Sequence, residues 1–351
     1  MKNRFKYLKS FKVLVVFAAL VLGLTACGTS SVENLKSSSG KSNKVVTINV
    51  AGYWGTSGGI TTYDPLVIAQ KLGYFKHIKI VDSSVPTGPQ TLSALTSGRI
   101  QAAMLQYSIA ASATAKGAKL KAVATAHGGK NDSNFHFYVP KDGSIHSPKD
   151  LIGKSVGGIQ AGSTEYYAWV DWLKKGGVSP NDVKLVTVQK GTVFQVLEKK
   201  QLAGVGTWND FEQNPIEESG KYRLLFTTYD VFPEELNHCG LFLTQKFIDE
   251  NPEAVKELVT GFEKVNDWLK KNPEKGKEMH VQLAKERHVD SSLVEKYYTV
   301  TDIRDHSLIK TIDAQYFIDK LEQYNYIPKG KVKATDLFTN KFNPYASKND
   351  N

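Results

Sequence analysis

The sequence is poor in the residues that build disulfide frameworks, metal centres and common catalytic sites. Its 351 residues include only two cysteines, Cys27 and Cys239, which excludes a disulfide framework. The eight histidines are scattered, and no His-x₃-His or clustered carboxylate spacing indicates a metal site. Neither a Gly-x-Ser-x-Gly elbow nor a Walker-type phosphate loop is present. We therefore predict no catalytic residue, no metal and no cofactor.

The chain is basic, but it lacks a concentrated basic segment with interleaved aromatic residues. The formal net charge is +10, and Lys2, Arg4, Lys6, Lys9 and Lys12 contribute five of these charges. Residues 1–26 contain no acid, so the rest of the chain carries 40 basic and 35 acidic residues. Since its lysines are spread along the sequence instead of forming one stripe, we predict no nucleic-acid partner.

The basic N-terminus precedes a short apolar run, Val13–Leu24. This order is typical of a secretory signal, and the run is too short for a stable membrane span. The run leads into Leu24-Thr25-Ala26-Cys27, which resembles the bacterial lipobox, in which the cysteine is diacylated and the preceding segment removed. The alternative is an ordinary cleavage site followed by a coincidental cysteine.

These features predict an extracytoplasmic protein that is lipid-anchored to the cell membrane through Cys27. Two acyl chains give stable anchoring, and no later segment approaches 18 consecutive apolar residues. Residues 1–26 are then the lipoprotein signal peptide. Residues 27–44 are rich in Ser, Lys and Asn, which predicts a flexible tether.

Strand and helix patterns alternate after the tether. One predicted helix, Tyr63–Phe75, is ended by Gly73, and further along Asn251 and Pro252 are a predicted N-cap and first helical residue. After residue 245 the strand patterns fade and helical patterns dominate. Two βα series followed by helices predict an α/β fold with parallel sheets. Ligands of such sheets bind beyond the carboxyl ends of the strands.

The order of these segments resembles a known protein family. The chain is similar to the solute-binding proteins of ABC importers, within them to the nitrate/sulfonate/taurine and thiamine-precursor family, over roughly residues 45–245. The segments that carry the resemblance are "PLVIAQKLGYF", "TGPQTLSALTSGRIQAAML", "ATAKGAKLKAVA", "VPKDGSIHSPKDLIGKSVGG", "GSTEYYA" and "AGVGTWNDFEQ".

The resemblance implies a two-lobed periplasmic-binding-protein type II fold. Each lobe would be a mainly parallel sheet flanked by helices, and two crossover strands near Phe135–Pro140 and Asn237–Leu241 would form the hinge, with Cys239 in it. Lobe one would comprise residues 45–136 plus 240–351, and lobe two residues 137–239. It also implies a monomer whose partners are a small-molecule ligand, a permease and its ATPase.

The resemblance and the physics of helix ends point to the same ligand-binding residues. Free backbone N–H groups and the positive end of the helix dipole attract an oxyanion at a helix N-terminus. The predicted residues lie in two helix starts, an aromatic loop and two strand ends: Thr87, Gly88 and Gln90; Gly162, Ser163 and Thr164; Tyr53 and Trp54; Gln106 and Tyr107; Trp208 and Asn209.

Each of these residues also has a purely structural interpretation. Ser163 and Thr164 are typical helix caps in proteins of any function, and Tyr53 or Trp54 is compatible with a core position. The family often has a Trp-Asp-Pro-like motif where this chain has Trp208-Asn209-Asp210, so the ligand chemistry stays open. His238, beside the predicted hinge, is interpreted as a structural histidine.

The predicted role is the extracytoplasmic binding component of an importer. A sulfonate-like ligand fits the neutral donors of the two helix starts, whereas a thiamine-type pyrimidine or another flat heterocycle fits the aromatic loop. A surface sensor or adhesin that does not transport is the remote alternative. We predict no enzyme, because the pyrimidine-precursor synthases of similar fold carry a cysteine-rich motif, which Cys27 and Cys239 cannot supply.

Overall fold

A computed structural model describes most of the chain after the predicted tether. The described residues are 45–51, 64–83, 85, 88–127, 135–158, 162–188, 192–207, 210–288, 290–300 and 303–347. The predicted signal peptide, the tether and Cys27 therefore lie outside the described residues. Among the helices within these ranges, none is long and apolar enough to cross a membrane.

Ten strands in the described ranges form two sheets of five. They are β1 (Val46–Ala51), β2 (Ile78–Asp82), β3 (Ala102–Gln106), β4 (Leu120–His127), β5 (His136–Pro140), β6 (Ser155–Gly158), β7 (Lys184–Thr187), β8 (Gly204–Thr207), β9 (Tyr222–Thr227) and β10 (Cys239–Thr244). The first sheet has the order β2-β1-β3-β10-β4, and the second has the order β7-β6-β8-β5-β9.

Twelve α-helices in the described ranges flank these sheets. They are α1 (Pro65–Lys71), α2 (Gly88–Thr96), α3 (Tyr107–Ala115), α4 (Thr164–Lys175), α5 (Val193–Glu198), α6 (Asp210–Glu218), α7 (Gln245–Glu250), α8 (Pro252–Lys271), α9 (Pro273–Glu286), α10 (Ser292–Tyr297), α11 (Thr311–Gln323) and α12 (Ala334–Leu337).

Helix α8 forms as its sequence predicts. Asn251 is its N-cap residue and Pro252 is its first residue, where the missing N–H of proline costs no helical hydrogen bond. The predicted apolar face is buried: Val255, Leu258, Val259, Phe262, Val265 and Leu269. Spacing of three and four residues places these side chains on one stripe, which packs into the core.

The two sheets are mixed, with parallel and antiparallel pairs in each. β1 pairs parallel with β2 and β3, whereas β10 runs antiparallel to β3 and β4. In the second sheet β6 pairs parallel with β7 and β8, whereas β5 runs antiparallel to β8 and β9. The fold class is as predicted, but the sheets contain more antiparallel pairing than "mainly parallel" implies.

The crossover segments explain the antiparallel strands. The chain passes from β4 in the first sheet to β5 in the second, and returns from β9 to β10. Each arriving strand begins beside a carboxyl end, since Cys239 pairs with Gln106 of β3 and His136 pairs with Thr207 of β8. A strand that starts at the carboxyl end of its neighbour must run in the opposite direction.

Candidate functional site

Helix α4 begins at the segment that the sequence analysis selected. Ser163 is its N-cap residue, and the Ser163 Oγ accepts a hydrogen bond of 3.2 Å from the Tyr166 N–H. Gly162 precedes it with φ +81°, a backbone conformation that glycine adopts without a Cβ penalty. Ser163 and Thr164 are both buried. The predicted cap is thus a real cap at the start of a 12-residue helix.

A side chain from the first sheet reaches this helix start. Gln106 is the last residue of β3, and its Oε1 accepts a 3.1 Å hydrogen bond from the backbone N–H of Thr164, the first residue of α4. Both residues are buried, and 58 positions separate them. Because α4 follows β6, this bond joins the carboxyl-end regions of the two sheets.

Two buried hydroxyls lie at the starts of the helices that follow these strands. The Oγ1 of Thr164 in α4 and the Oγ of Ser108 in α3 have no hydrogen-bond partner among the described residues. An unsatisfied buried polar group costs about 1–3 kcal/mol. A bound polar ligand would remove this cost. Ser108 is not among the residues predicted from the sequence, although a serine just after a buried strand and at a helix start is a signal of the same kind as Thr164.

Tyr107, the residue after Gln106, lies in the apolar core. It is fully buried, its ring meets Phe242 edge to face with centroids 5.4 Å apart, and burial raises the pKa of its hydroxyl. A Cβ built on Gly240 would lie 2.9 Å from the Tyr107 hydroxyl, so the hydroxyl is directed at β10. Its backbone N–H donates to the His238 carbonyl over 3.0 Å.

No described contact links the other predicted residues to the hydrogen bond between Gln106 and Thr164. Gly88 begins α2, and Gln90 is exposed in its first turn. The remaining predicted residues lie outside the described residues: Tyr53, Trp54, Thr87, Trp208 and Asn209. The structure therefore brings together Gln106, Ser163 and Thr164.

His238 lies beside this contact as a neutral, buried ring. Burial lowers its pKa to about 3, so the imidazole carries no charge at neutral pH. Its ring lies 5.3 Å from that of Phe135, the residue directly before β5. The side chain thus offers a hydrogen-bonding group to its surroundings and no positive charge.

Glu165 is a buried acid in the first turn of α4 and is not among the residues predicted from the sequence. A Cβ built on Gly158 or on Gly206 would lie only 2.7 Å or 2.2 Å from the Glu165 Oε1. The two glycines of β6 and β8 therefore leave the space that the carboxylate occupies. An acid in the first turn also complements the positive end of the helix dipole.

Arg287, the residue after α9, lies at the carboxyl end of β2 and is already neutralised by two acids. Arg287 contacts the Oδ2 atoms of Asp64 and Asp82, each at 2.6 Å. A cavity of about 20 Å³, which has room for roughly one water, lies against both acids, the last residues of β1 and the first residues of β3. Since two carboxylates hold its guanidinium, Arg287 is a poor counter-charge for an anionic ligand.

A larger cavity, of about 430 Å³, has none of the described ligand-binding candidates in its lining. Its lining includes Lys121 near the start of β4 and Gln245 just after β10, at the opposite end of the first sheet from Gln106. Cavity size therefore does not mark the predicted site. Within the described ranges, no three His, Cys, Asp or Glu side chains converge as a metal site would require.

Comparisons with known proteins agree with this architecture. A protein of Brucella abortus (strain 2308), named only as a binding protein, is 26% identical over 237 residues, covering 67% of this chain and 70% of that protein. The periplasmic aliphatic sulphonate binding protein of Escherichia coli superposes with a TM-score of 0.64 at 18% identity, covering 83% of this chain and 96% of that chain.

A ligand binding component of an ABC-type import system from Staphylococcus aureus gives a TM-score of 0.67 at 19% identity, covering 86% of this chain and 99% of that chain. At these identities the structural likeness establishes the fold, and it confirms the predicted periplasmic-binding-protein fold. The family described as NMT1/THI5 like matches residues 61–276, more than half of the sequence. The chain belongs to the NMT1/THI5 like family.

Proposed function

We propose that this protein is the extracytoplasmic binding component of an ABC importer and that it captures a small sulfonate-like ligand. The observation that carries the proposal is the hydrogen bond between Gln106 and the first residue of α4. It joins the carboxyl-end regions of both sheets, which is where ligands of α/β sheets bind. The hydroxyls of Ser108 and Thr164, which have no partner among the described residues, are donors at the starts of α3 and α4, the helices that follow β3 and β6.

A sulfonate suits the uncharged hydroxyl donors of Ser108 and Thr164, which lie at helix N-termini, whereas the Glu165 carboxyl next to Thr164 opposes it. A helix N-terminus attracts an oxyanion without a full counter-charge. His238 is neutral, and Arg287 is held by two acids. The likeness in fold to a sulphonate-binding protein supports the ligand class.

A second ligand class, an aminopyrimidine of the thiamine type, is favoured by Glu165. This buried carboxylate lies in the first turn of α4, next to Thr164. An amino group on a flat heterocycle would donate to a carboxylate, whereas a sulfonate would be repelled by it. The Glu165 carboxylate would therefore favour binding of an aminopyrimidine and disfavour binding of a sulfonate.

The ligand test is a thermal-shift panel with ethanesulfonate, taurine, MOPS, thiamine and its aminopyrimidine fragment. A ligand that binds the folded state stabilises it by RT ln(1 + [L]/Kd). We expect the sulfonates to raise Tm and the pyrimidines to leave it unchanged. A shift with pyrimidines alone would replace the sulfonate with the second class, and no shift with any compound would contradict both.

The site test is Ser163→Ala combined with Thr164→Ala. We expect ethanesulfonate affinity to fall at least about tenfold, while the lost cap lowers the unfolding free energy by about 1 kcal/mol. Calorimetry measures binding and urea titration measures stability. The matched control is Thr244→Ala, which removes the cap that accepts from the Phe247 N–H in α7 at 3.2 Å. It should lower stability by a similar amount and leave binding unchanged.

The proposal also includes the predicted organisation and partners. Lobe one comprises residues 45–136 plus 240–351 and lobe two residues 137–239, and closure of the lobes around the ligand is the capture step. A monomer anchored through Cys27 then delivers the ligand to the permease and its ATPase. Replacing Cys27→Ser should release the protein from the membrane fraction, and unchanged fractionation would contradict the anchor.

A further inference from the structure

Helix α4 is held on one side by the second sheet. Its buried residues Ala168, Trp169 and Leu173 pack with strand residues of that sheet, among them Phe137. The indole N–H of Trp169 donates to the Gly157 carbonyl in β6 over 3.2 Å. This side fixes α4 to the second sheet, and therefore fixes the position of the helix start that carries Ser163 and Thr164.

The other side of α4 contacts a helix that belongs to the first sheet. Asp171 accepts a hydrogen bond from the Lys320 Nζ at 2.6 Å and another from the Tyr316 hydroxyl at 2.7 Å. Asp171 is 10% exposed and Lys320 is 20% exposed, so the ion pair is largely removed from water. Helix α11, which carries both partners, packs its residues Phe317 and Leu321 into the core of the first sheet.

Aromatic side chains surround this ion pair. Tyr167 of α4 stacks near Tyr324 with ring centroids 6.0 Å apart, and Lys174 lies over the Tyr324 ring at 4.2 Å. The hydroxyls of Tyr166 and Tyr326 are 2.9 Å apart. We define the α4–α11 contact by these residues: Tyr166, Tyr167, Asp171 and Lys174 on α4, and Tyr316, Lys320, Tyr324 and Tyr326 on α11 and the segment after it.

The contact contains groups that would gain hydrogen bonds if it separated. The hydroxyls of Tyr167 and Tyr324 are buried and have no partner among the described residues. Separation of the helices would expose these hydroxyls to water, where they would form hydrogen bonds and lose the free-energy cost of being buried without a partner. The Asp171–Lys320 ion pair favours the closed contact, because it can form only while α4 and α11 are in contact. The Asp171–Lys320 pair is thus one of the interactions that oppose separation of the two helices.

We propose that Asp171 is a positioning residue for ligand capture, because its bonds to Lys320 and Tyr316 hold α4 against α11 and so keep the α4 start next to Gln106. The inference rests on the proposed function, since it assigns Asp171 an effect on ligand affinity. Asp171 does not touch the ligand. It acts through the rigid helix, whose first residue is the partner of Gln106.

The test compares Asp171→Asn with wild type in the full chain. The first measurement is amide hydrogen exchange without ligand over residues 163–175 and 311–326. The variant should exchange at least about threefold faster in both segments, because local opening frees them. The second measurement is ethanesulfonate binding by stopped flow. The dissociation rate constant should rise at least about fivefold with little change in the association rate constant.

The matched control is Glu286→Gln, which breaks the 2.9 Å pair between Lys71 on α1 and Glu286 on α9. Both helices lie on the first-sheet side, so neither exchange in the two segments nor ligand dissociation should change. Lys320→Met removes the same pair from the α11 side and should cause the same changes in exchange and in ligand dissociation. It replaces Asp171→Asn as the test if Asp171→Asn folds poorly.

Each result has a distinct meaning. Wild-type exchange in both segments of Asp171→Asn and of Lys320→Met would overturn the positioning role. If ethanesulfonate fails to bind the wild-type protein, the proposed ligand class fails, whereas the exchange measurement still decides whether Asp171 holds the contact. Faster exchange with an unchanged dissociation rate constant would show a structural role only and would also overturn the inference.

Discussion

Glu263 is a single residue whose ionisation opposes folding at neutral pH. It lies on α8 with 5% of its surface exposed, and its Oε1 has no hydrogen-bond partner among the described residues. Burial raises its pKa to about 7, with a smaller opposing effect from a hydrogen bond to Ser307. Ser307 and His306 both have positive φ, at +45° and +58°, so the acid contacts a strained turn.

The raised pKa predicts the direction of the pH dependence. Below about pH 4.5 the carboxyl is protonated in both states, and its contribution to stability is fully present. Between about pH 4.5 and 7 the unfolded state releases the proton first, so stability falls by up to about 3 kcal/mol as pH rises. Glu263→Gln should remove this loss and be more stable than wild type at pH 8.

Urea unfolding at pH 5 and pH 8 measures this prediction on both proteins. Because other groups titrate as well, the quantity to compare is the difference between the two proteins at each pH. The unfolding free energy of Glu263→Gln relative to that of wild type should increase from pH 5 to pH 8. Equal differences at both pH values would show that Glu263 ionises in the folded state as readily as in the unfolded chain.

At the scale of elements, a glycine inside α8 serves packing at a cost in helix propensity. A Cβ built on Gly261 would lie 2.1 Å from the Cε1 atom of Phe75, in the segment after α1. Propensity alone favours alanine over glycine by about 1 kcal/mol in a helix interior. The packing of the Phe75 ring against Gly261 therefore has to stabilise the protein by more than alanine at this position would through helix propensity.

Gly261→Ala should lower the unfolding free energy by about 1–3 kcal/mol, because overpacking forces the Phe75 ring or α8 to move. Thermal and urea unfolding measure the change. The control is Thr260→Ala at the adjacent position, which changes helix propensity without adding an atom near Phe75 and should stay within about 0.5 kcal/mol of wild type. A stabilised Gly261→Ala variant would mean that propensity decides at this position.

The elements themselves were largely predictable from sequence, and their mutual contacts were not. The spacing of Val255, Leu258 and Phe262 predicts the buried face of α8 correctly, and Ser163 caps α4 as its residue type suggests. These signals are local. The bond from Gln106 to Thr164 joins positions 58 residues apart, so no local pattern contains it.

Side-chain direction and strand direction also could not be predicted from the sequence. Gln106 and Tyr107 are adjacent, yet one reaches α4 and the other points into the core, because β3 ends and α3 begins between them. The antiparallel course of β5 and β10 depends on where the chain crosses between the sheets. Glu165 was overlooked because its space is created by Gly158 and Gly206 on two other elements.

At the scale of the whole molecule, a buried ion pair fixes the return crossover to the first-sheet side. Asp313 of α11 is fully buried, and its carboxylate accepts from the Arg304 guanidinium and, over 2.9 Å, from the backbone N–H of Asn237. Asn237 lies just before β10, and Arg304 also donates to the Glu235 carbonyl. The segment that leads from β9 into β10 is therefore tied to the helix that covers the first sheet.

Arg304→Met should destabilise the whole protein by about 3–5 kcal/mol, because it leaves a buried carboxylate without its counter-charge. Burial already raises the pKa of Asp313 and Arg304 lowers it, so the variant should also lose further stability as the pH rises and Asp313 ionises. Lys310→Met is the control in the same cluster. It breaks the Lys310–Glu235 pair, whose side chains are 50% and 55% exposed, and exposed pairs contribute about 0–1 kcal/mol. Urea unfolding of both variants separates the two cases, since losses of equal size would mean that the Arg304–Asp313 pair holds the crossover no more firmly than a surface pair does.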